Sequence, residues 1–196
     1  MKKPFSHVSP SQIATYTTCP RQWYYNKVLG LPVPQKPSAA LGEAVHSTIE
    51  AYLETGDPID LHVVARPAQA KLDELRALDP LVETKMERPL RNGLTFIGRI
   101  DLLALQQRLV VDHKTTSDLR YAKSEEELQH DVQMLSYAYE VYCRNPGPEV
   151  RVAHNVLLTR GGPATRYTET TVSAPQILAG WSRIQDVTDE MIRTAR

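Results

Sequence analysis

The sequence has no excess of charge of either sign. Its 23 lysines and arginines balance 23 aspartates and glutamates, so the whole chain does not generate the positive field that attracts nucleic acids over long distances. This balance argues against a histone-like protein and against binding through a basic tail. It leaves open a nucleic-acid enzyme, because a local basic lining and a bound cation can neutralise phosphate charge at the site itself.

The sequence also lacks an apolar run long enough to cross a bilayer. Two lysines near the start, Lys2 and Lys3, are not followed by the apolar segment of a secretory signal. We therefore expect a cytoplasmic protein with no membrane partner. Cysteine is scarce, and Cys19 and Cys143 lie in unrelated contexts, so we expect free thiols unless a metal binds them.

Internal repeats, low-complexity segments and glycine-rich phosphate loops are absent from the sequence. A chain of 196 residues can form one domain with its own core, and we predict a single domain over residues 1–196. Residues 9–78 have helical patterns, whereas residues 82–196 combine strands with helices. Because strands and helices do not alternate regularly, we predict an α/β fold with a mixed central sheet flanked by helices, and not a dinucleotide-binding fold.

Caps and prolines indicate where the helices begin and end. Ser9 is a helix cap before Pro10, and Pro20 predicts a break in the helix that follows. Apolar residues at helical spacing predict further helices that begin near Ala39 or Ala40, span about 61–78 and 124–143, and run from the cap Ser173 to the end of the chain.

Short apolar segments separated by turn residues predict strands. Three of them should form an antiparallel meander, with turns at residues 91–93 and 106–107. Two more strands surround Gly161 and Gly162. The predicted strands cover residues 82–90, 94–105, 108–113, 150–159 and 165–172.

Two aspartates occupy corresponding positions of the meander. Asp101 and Asp112 lie at nearly equal distances from the turn at residues 106–107, so they should face each other across the hairpin. Side chains alternate along a strand, so Asp112 and Lys114 should project from the same face. The pattern therefore brings two carboxylates and one ammonium group together.

A divalent cation would relieve the repulsion between two close carboxylates. Oxygen ligands suit Mg²⁺ or Mn²⁺, which can orient a water nucleophile and neutralise a phosphodiester. Lys114 would stabilise the phosphate in the transition state or help to deprotonate the water. The alternative is a surface ion pair on an exposed hairpin, but the apolar neighbours Leu102 and Val111 favour a functional role.

Three residues outside the hairpin are ambiguous on their own. His46 adjoins the apolar stripe of the second predicted helix, where it is either a metal ligand or a partner of Glu43 and Glu50 on a solvated face. Gln133 and Tyr137 lie one helical turn apart. Either both contact a phosphate or a base, or Gln133 is solvated and Tyr137 lies in the core. Taken singly, each of the three residues favours the alternative without a role in metal or phosphate binding.

Five segments carry motifs when they are considered in order along the chain. They are Ser9 to Tyr25 with its Cys19-Pro20 pair, Leu41 to His46, Gly98 to Asp101, Asp112-His113-Lys114, and Gln133 to Tyr137. Together they resemble the PD-(D/E)XK nuclease superfamily, in particular its RecB-like exonuclease branch, which includes CRISPR-adaptation and AddB-type nuclease domains. Ile100 replaces the proline of the family's name, as is usual in this branch. The resemblance covers most of the chain.

The resemblance implies a restriction-endonuclease-like core and a metal-dependent exonuclease, acting on single-stranded DNA or DNA ends. The implied catalytic residues are Asp101, Asp112 and Lys114. The implied metal ligands for Mg²⁺ or Mn²⁺ are His46, Asp101, Asp112 and the carbonyl oxygen of His113. The residues expected to contact DNA or support the site are Arg21, Thr115, Thr116, Gln133 and Tyr137. Glu87 is a further candidate for a supporting acid, unless Glu83 and Glu87 are both solvated.

The cysteines depart from one form of this family. Many members with the Cys19-Pro20 signature carry an iron–sulfur cluster, held by one cysteine near the start and three near the end. The later three are absent here, and Cys143 cannot replace them. Because a cluster needs four ligands, we expect no iron–sulfur cluster in this chain. If the natural protein is longer, Cys19 would be the first ligand of such a cluster.

Two other functions compete with an exonuclease. A non-cleaving DNA-binding or scaffold domain of a helicase or repair complex should have lost an acid or the lysine, but Asp101, Asp112 and Lys114 are all present. A restriction-type endonuclease usually adds a base-reading element or dimerises, and the sequence has no such insertion. We therefore predict a nuclease whose partners are DNA and a helicase or another repair or recombination protein.

Overall fold

A mixed six-stranded sheet forms the centre of the computed structural model, which describes residues 5–32, 37–56 and 63–195. β1 pairs with β3 and β4 pairs with β5 in parallel, and the other pairs are antiparallel. This arrangement confirms the predicted α/β class. The strands are β1 His7–Val8, β2 Leu81–Pro89, β3 Thr95–Ala104, β4 Leu109–Thr116, β5 Glu149–Leu158 and β6 Thr165–Ser173.

Helices cover both faces of the sheet. Within the described ranges they are α1 Pro10–Thr18, α2 Pro20–Trp23, α3 Pro37–Thr55, α4 Gln69–Arg76, α5 Glu125–Gln129, α6 Val132–Arg144 and α7 Ala174–Thr194. A larger core lies between the sheet and α1, α2 and α5 to α7, and a smaller core lies under α3 and α4. None of the helices described combines the length and apolar character that crossing a membrane requires.

The predicted break near Pro20 is confirmed. Ser9 caps α1 by accepting a hydrogen bond from the backbone of Gln12, and the helix ends before Cys19, whose backbone is extended. Cys19 in turn caps α2, and a π-helical turn follows at Tyr24–Val28. The fully buried Trp23 anchors this segment in the larger core.

Two predicted helices have different bounds in the structure. α3 begins at Pro37, two to three residues earlier than predicted, because proline is well suited to the first turn of a helix. The helix predicted over 61–78 is shorter, and residues 61 and 62 lie outside the described part of the chain. A 3₁₀ turn at Arg66–Ala68 precedes α4.

The single helix predicted over 124–143 is two helices, α5 and α6. Ser124 caps α5 through a capping box with Glu127. Asp131 has an extended backbone and accepts a hydrogen bond of 2.9 Å from the amide of Met134, so it caps a second helix. The break places Gln133 in the first turn of α6.

The meander of β2, β3 and β4 forks on one edge. One edge of β3 pairs with β2. The other edge pairs with β1 at residues 95–96 and with β4 at residues 102–104. Between them, residues 97–100 pair with β2 alone among the described strands, and Asp101 has no partner in the register of β2 and β3. We call the gap between β1 and β4 along this edge of β3 the fork, and the candidate active site lies there.

β3 changes the face that it presents to the two cores at Asp101. Ile100 and Leu103 pack in the larger core, whereas Leu102 packs in the smaller core, although regular alternation would put Ile100 and Leu102 on one face. The side chains of β2 change face in the same way, since Met86 belongs to the larger core and Val82 packs against the smaller one. The reversal brings acidic side chains to the fork between the two layers.

Candidate active site

Asp101 lies where β3 and β4 separate. The register pairs Leu102 with Val111, so Asp101 and Asp112 occupy facing positions, as the sequence predicts. The ladder itself stops there, and the Asp101 carboxylate accepts a hydrogen bond of 2.7 Å from the backbone amide of His113. One carboxylate oxygen thus replaces the next ladder bond and is fixed in position.

Asp112 and Lys114 project together toward α6, as alternation along β4 predicts. Lys114 Nζ lies 2.6 Å from Asp112 Oδ2. The amide of Gln133 donates to Asp112 Oδ1 at 2.8 Å and accepts from Lys114 at 3.0 Å. Gln133 therefore orients both charged groups, while the Lys114 side chain remains 40% exposed and accessible to a substrate.

Tyr137 bridges the fork from α6. Its hydroxyl donates to the carbonyl oxygen of Arg99 at 2.6 Å and accepts from Gln133 at 3.0 Å. A Cβ atom at Gly98 would lie 3.1 Å from Tyr137 Cε1, so this glycine makes room for the ring. Burial raises the pKa of Tyr137, which keeps its hydroxyl protonated and able to donate.

α3 carries His46 to the opposite side of the fork. The helix approaches β4 closely at Gly42, where a Cβ atom would lie 3.3 Å from Thr115 Oγ1. One turn later, His46 Nδ1 lies 3.6 Å from Asp101 Oδ2, and its ring meets that of His113 edge-on. Burial lowers the pKa of His46, so the imidazole is neutral and able to act as a ligand.

Glu83 is a third acid at this point. Its carboxylate is 15% exposed and forms an ion pair with Arg99. Ligand atoms of His46, Glu83 and Asp101 all lie within 4.8 Å of one another. Glu87, the candidate supporting acid from the sequence, is exposed on the same strand and lies outside this group, which agrees with the alternative of a solvated side chain.

Acidic side chains crowd together at the fork, which makes their charged forms unfavourable. Burial raises the pKa of the Asp101 carboxyl well above its usual range, and Asp112 raises it further. Burial also raises the pKa of Glu83. In addition, Asp112 Oδ2 is buried and, apart from its ion pair, makes no well-directed hydrogen bond. Carboxylates and a neutral imidazole fit a divalent cation, which would relieve this repulsion.

Two buried histidines, His113 and His154, lie beside Asp112. Burial lowers the pKa of His113 to about 3, and its Nδ1 lies 3.2 Å from the side-chain amide nitrogen of Asn155. His154 Nε2 lies 3.9 Å from Asp112 Oδ2, because β4 and β5 pair Asp112 with His154. No local pattern in the sequence points to His154, because a parallel pairing between distant strands cannot be deduced from such patterns.

The remaining predicted residues lie outside this network. Arg21, on α2, donates to the hydroxyl of Tyr25 at 2.9 Å. Thr116 donates to the carbonyl oxygen of Asp118 at 3.0 Å. Cys19 is partly exposed, and its sulfur accepts from the amide of Gln22. The structure thus brings together the hairpin, His46, Gln133 and Tyr137, but not the residues at the start of the chain.

The chain belongs to the PD-(D/E)XK nuclease superfamily. The sequence model of this family matches residues 7–79 and 59–194, which together include all the residues of the fork. Members of this superfamily are nucleases that use divalent metal ions, so the chain is assigned as a nuclease. Among curated proteins, none matches the sequence significantly.

Solved structures share the fold. SSO0001 has 13% identity and a TM-score of 0.54, with 98% of this chain and 78% of that protein covered. A candidate exonuclease from Eubacterium rectale has 14% identity and a TM-score of 0.59, with 97% of this chain and 81% of that protein covered. At such low identity the likeness concerns the fold alone.

Proposed function

We propose that this protein is a divalent-metal-dependent DNA nuclease of the RecB-like branch, acting as an exonuclease on single strands or DNA ends. The observation that carries the proposal is the convergence of Asp101, Asp112 and Lys114 at the fork. A scaffold domain has no need to keep two buried acids beside a lysine, because buried charges are costly unless they are used or compensated.

The proposed ligands of the cation are His46, Asp101, Asp112 and the carbonyl oxygen of His113. Mg²⁺ or Mn²⁺ suits this set, because both bind oxygen ligands and Mn²⁺ also accepts imidazole. When bound, the cation supplies charge neutralisation and an acidified water.

Lys114 has the role of a phosphate-binding group in this proposal. Its Nζ is held between Asp112 and Gln133 but is partly exposed, so it can approach a non-bridging oxygen of the scissile phosphodiester. There it would stabilise the charge that develops in the transition state. Gln133 holds the side chains of Asp112 and Lys114 in position, and Tyr137 links α6 to β3 through the carbonyl oxygen of Arg99.

The exonuclease mode and the DNA contacts rest on the motifs. Arg21, Thr115 and Thr116 are proposed DNA-contacting or supporting residues because of their places in those motifs. The same motifs support a helicase or a repair or recombination protein as partner.

Labelled DNA substrates test the proposal. Purified protein with Mg²⁺ or Mn²⁺ should degrade linear single-stranded DNA and leave circular single strands intact. Asp112→Asn should lower the rate by at least about 10²-fold, as expected for the loss of a group that acts on the transition state. Arg151→Gln is a matched control, since Arg151 pairs with Glu169 near the opposite end of β5. Cleavage of circular DNA would refute the exonuclease mode, and full activity with excess chelator would refute the metal dependence.

A further inference from the structure

Glu83 stands directly across the β2–β3 pair from Asp101. The register pairs Val82 with Leu102 and Thr84 with Ile100, and the residues between these pairs are Glu83 and Asp101. Both strands change face at this point. The two carboxylates therefore meet at the fork, although no sequence motif includes Glu83.

The backbone of Glu83 is unusual for a strand. Its φ is +50°, in the left-handed region that side chains other than glycine rarely adopt. Such residues persist where the surrounding structure enforces them, and they cluster at ligand-binding and active sites. Here the conformation accompanies the reversal of β2 and turns the carboxylate toward the fork.

The surroundings of Glu83 are those of a ligand rather than of a surface acid. Its ligand atom lies within 4.8 Å of those of His46 and Asp101, and Arg99 pairs with the carboxylate. Near these groups, Asp112 Oδ2 is buried and, apart from its ion pair with Lys114, makes no well-directed hydrogen bond, so this oxygen can also face a cation. Glu87 has none of these features, because it is exposed and lies outside the group.

We infer that Glu83 is an additional ligand of the divalent cation, completing with His46 and Asp101 a site that joins α3, β2 and β3. The inference rests on the proposed metal-dependent function and extends it by a residue outside the five motifs. A third carboxylate near the fork increases the negative charge available to a hard dication and favours Mg²⁺ or Mn²⁺ over softer metals.

Titration of the full chain with Mn²⁺ in the absence of DNA tests this inference without relying on activity. Glu83→Gln should raise the Kd for Mn²⁺ by at least about tenfold, since the loss of groups that only orient ligands already costs about 10–100-fold. Glu87→Gln, on the same strand, should leave the Kd unchanged. Circular dichroism of each metal-free variant verifies that it is folded.

Glu83→Asp is a second variant, because aspartate tolerates the left-handed region and keeps the charge while shortening the side chain. It should bind Mn²⁺ more weakly than the wild type and more tightly than Glu83→Gln. Wild-type affinity in folded Glu83→Gln or Glu83→Asp would overturn the inference while leaving a DNA-cleaving wild type as proposed. A wild type that neither binds Mn²⁺ nor cleaves DNA would refute the proposed function, and this inference with it.

Discussion

At the scale of single residues, the site depends on hydrogen bonds that fix charged groups. Gln133 is the central example, because one amide contacts both Asp112 and Lys114 and also donates to Tyr137. Gly98 also shapes the site, because the absence of a side chain leaves room for the Tyr137 ring.

Replacing Gln133 should impair catalysis more than folding. In Gln133→Ala the two charged groups lose their common partner, so kcat should fall by about 10–100-fold, as for other groups that orient ligands. Steady-state cleavage of linear DNA measures kcat and KM. An unchanged kcat in a folded variant would contradict an orienting role for Gln133.

Adding a methyl group at Gly98 should disturb the fork. The new Cβ atom would lie 3.1 Å from the Tyr137 ring, so Gly98→Ala should lower the free energy of unfolding by about 1–3 kcal/mol, as overpacking does. A double-mutant cycle with Tyr137→Ala isolates this contact. The Gly98→Ala cost should shrink when the ring is absent, and an equal cost in both backgrounds would exclude the ring as its cause.

At the scale of elements, the sequence predicts the catalytic hairpin because its information is local. The tight turn at residues 106–107 sets the register of Asp101 and Asp112, and alternation sets the face of Lys114. The break between α5 and α6 was missed, because an aspartate within a helical pattern does not by itself indicate a new cap. Asp131 shows its role only through its hydrogen bond to Met134.

The Asp131 cap should contribute measurably to stability. Asp131→Ala should lower the free energy of unfolding by about 0.5–2 kcal/mol, the usual range for loss of an N-cap. Asp131→Asn preserves the cap and should cost less. Urea denaturation at neutral pH compares the two, and equal costs would mean that the cap contributes nothing.

The pH dependence of stability isolates the charge of Asp131. Burial opposes the charged form, but the ion pair with Lys123 and the bond from Met134 outweigh it, so the pKa of Asp131 is lowered. A lowered folded-state pKa contributes stability that is present above the unfolded value of about 3.9 and is lost as the pH falls toward the folded value. The stability difference between wild type and Asp131→Asn should therefore shrink below about pH 4. A difference that grew on acidification would contradict this sign.

At the scale of the whole molecule, the fold class follows from the order of elements, whereas the complete site does not. The mixed sheet could be anticipated from a meander followed by a helix and two more strands. Glu83 and His154 could not, because they reach the fork through a reversed strand and through the parallel pairing of β4 with β5. Both depend on tertiary packing that no short motif encodes.

A cation bound at the fork should also stabilise the whole fold. Because it binds the folded chain and not the unfolded one, Mn²⁺ at about 100 times its Kd should add about 2.7 kcal/mol to the free energy of unfolding. Thermal unfolding with and without Mn²⁺ measures this effect. The gain should be absent in Asp101→Asn, and an equal gain in that variant would place Mn²⁺ elsewhere.

The central claim is that Asp101, Asp112 and Lys114 form a metal-dependent DNA-cleaving site, and Lys114→Met tests it most directly. The substitution removes the charge but keeps much of the side-chain volume. Single-turnover cleavage of labelled linear single-stranded DNA with saturating Mg²⁺ should slow by at least about 10²-fold, while Mn²⁺ still binds. Cleavage by Lys114→Met at the wild-type rate would contradict the account.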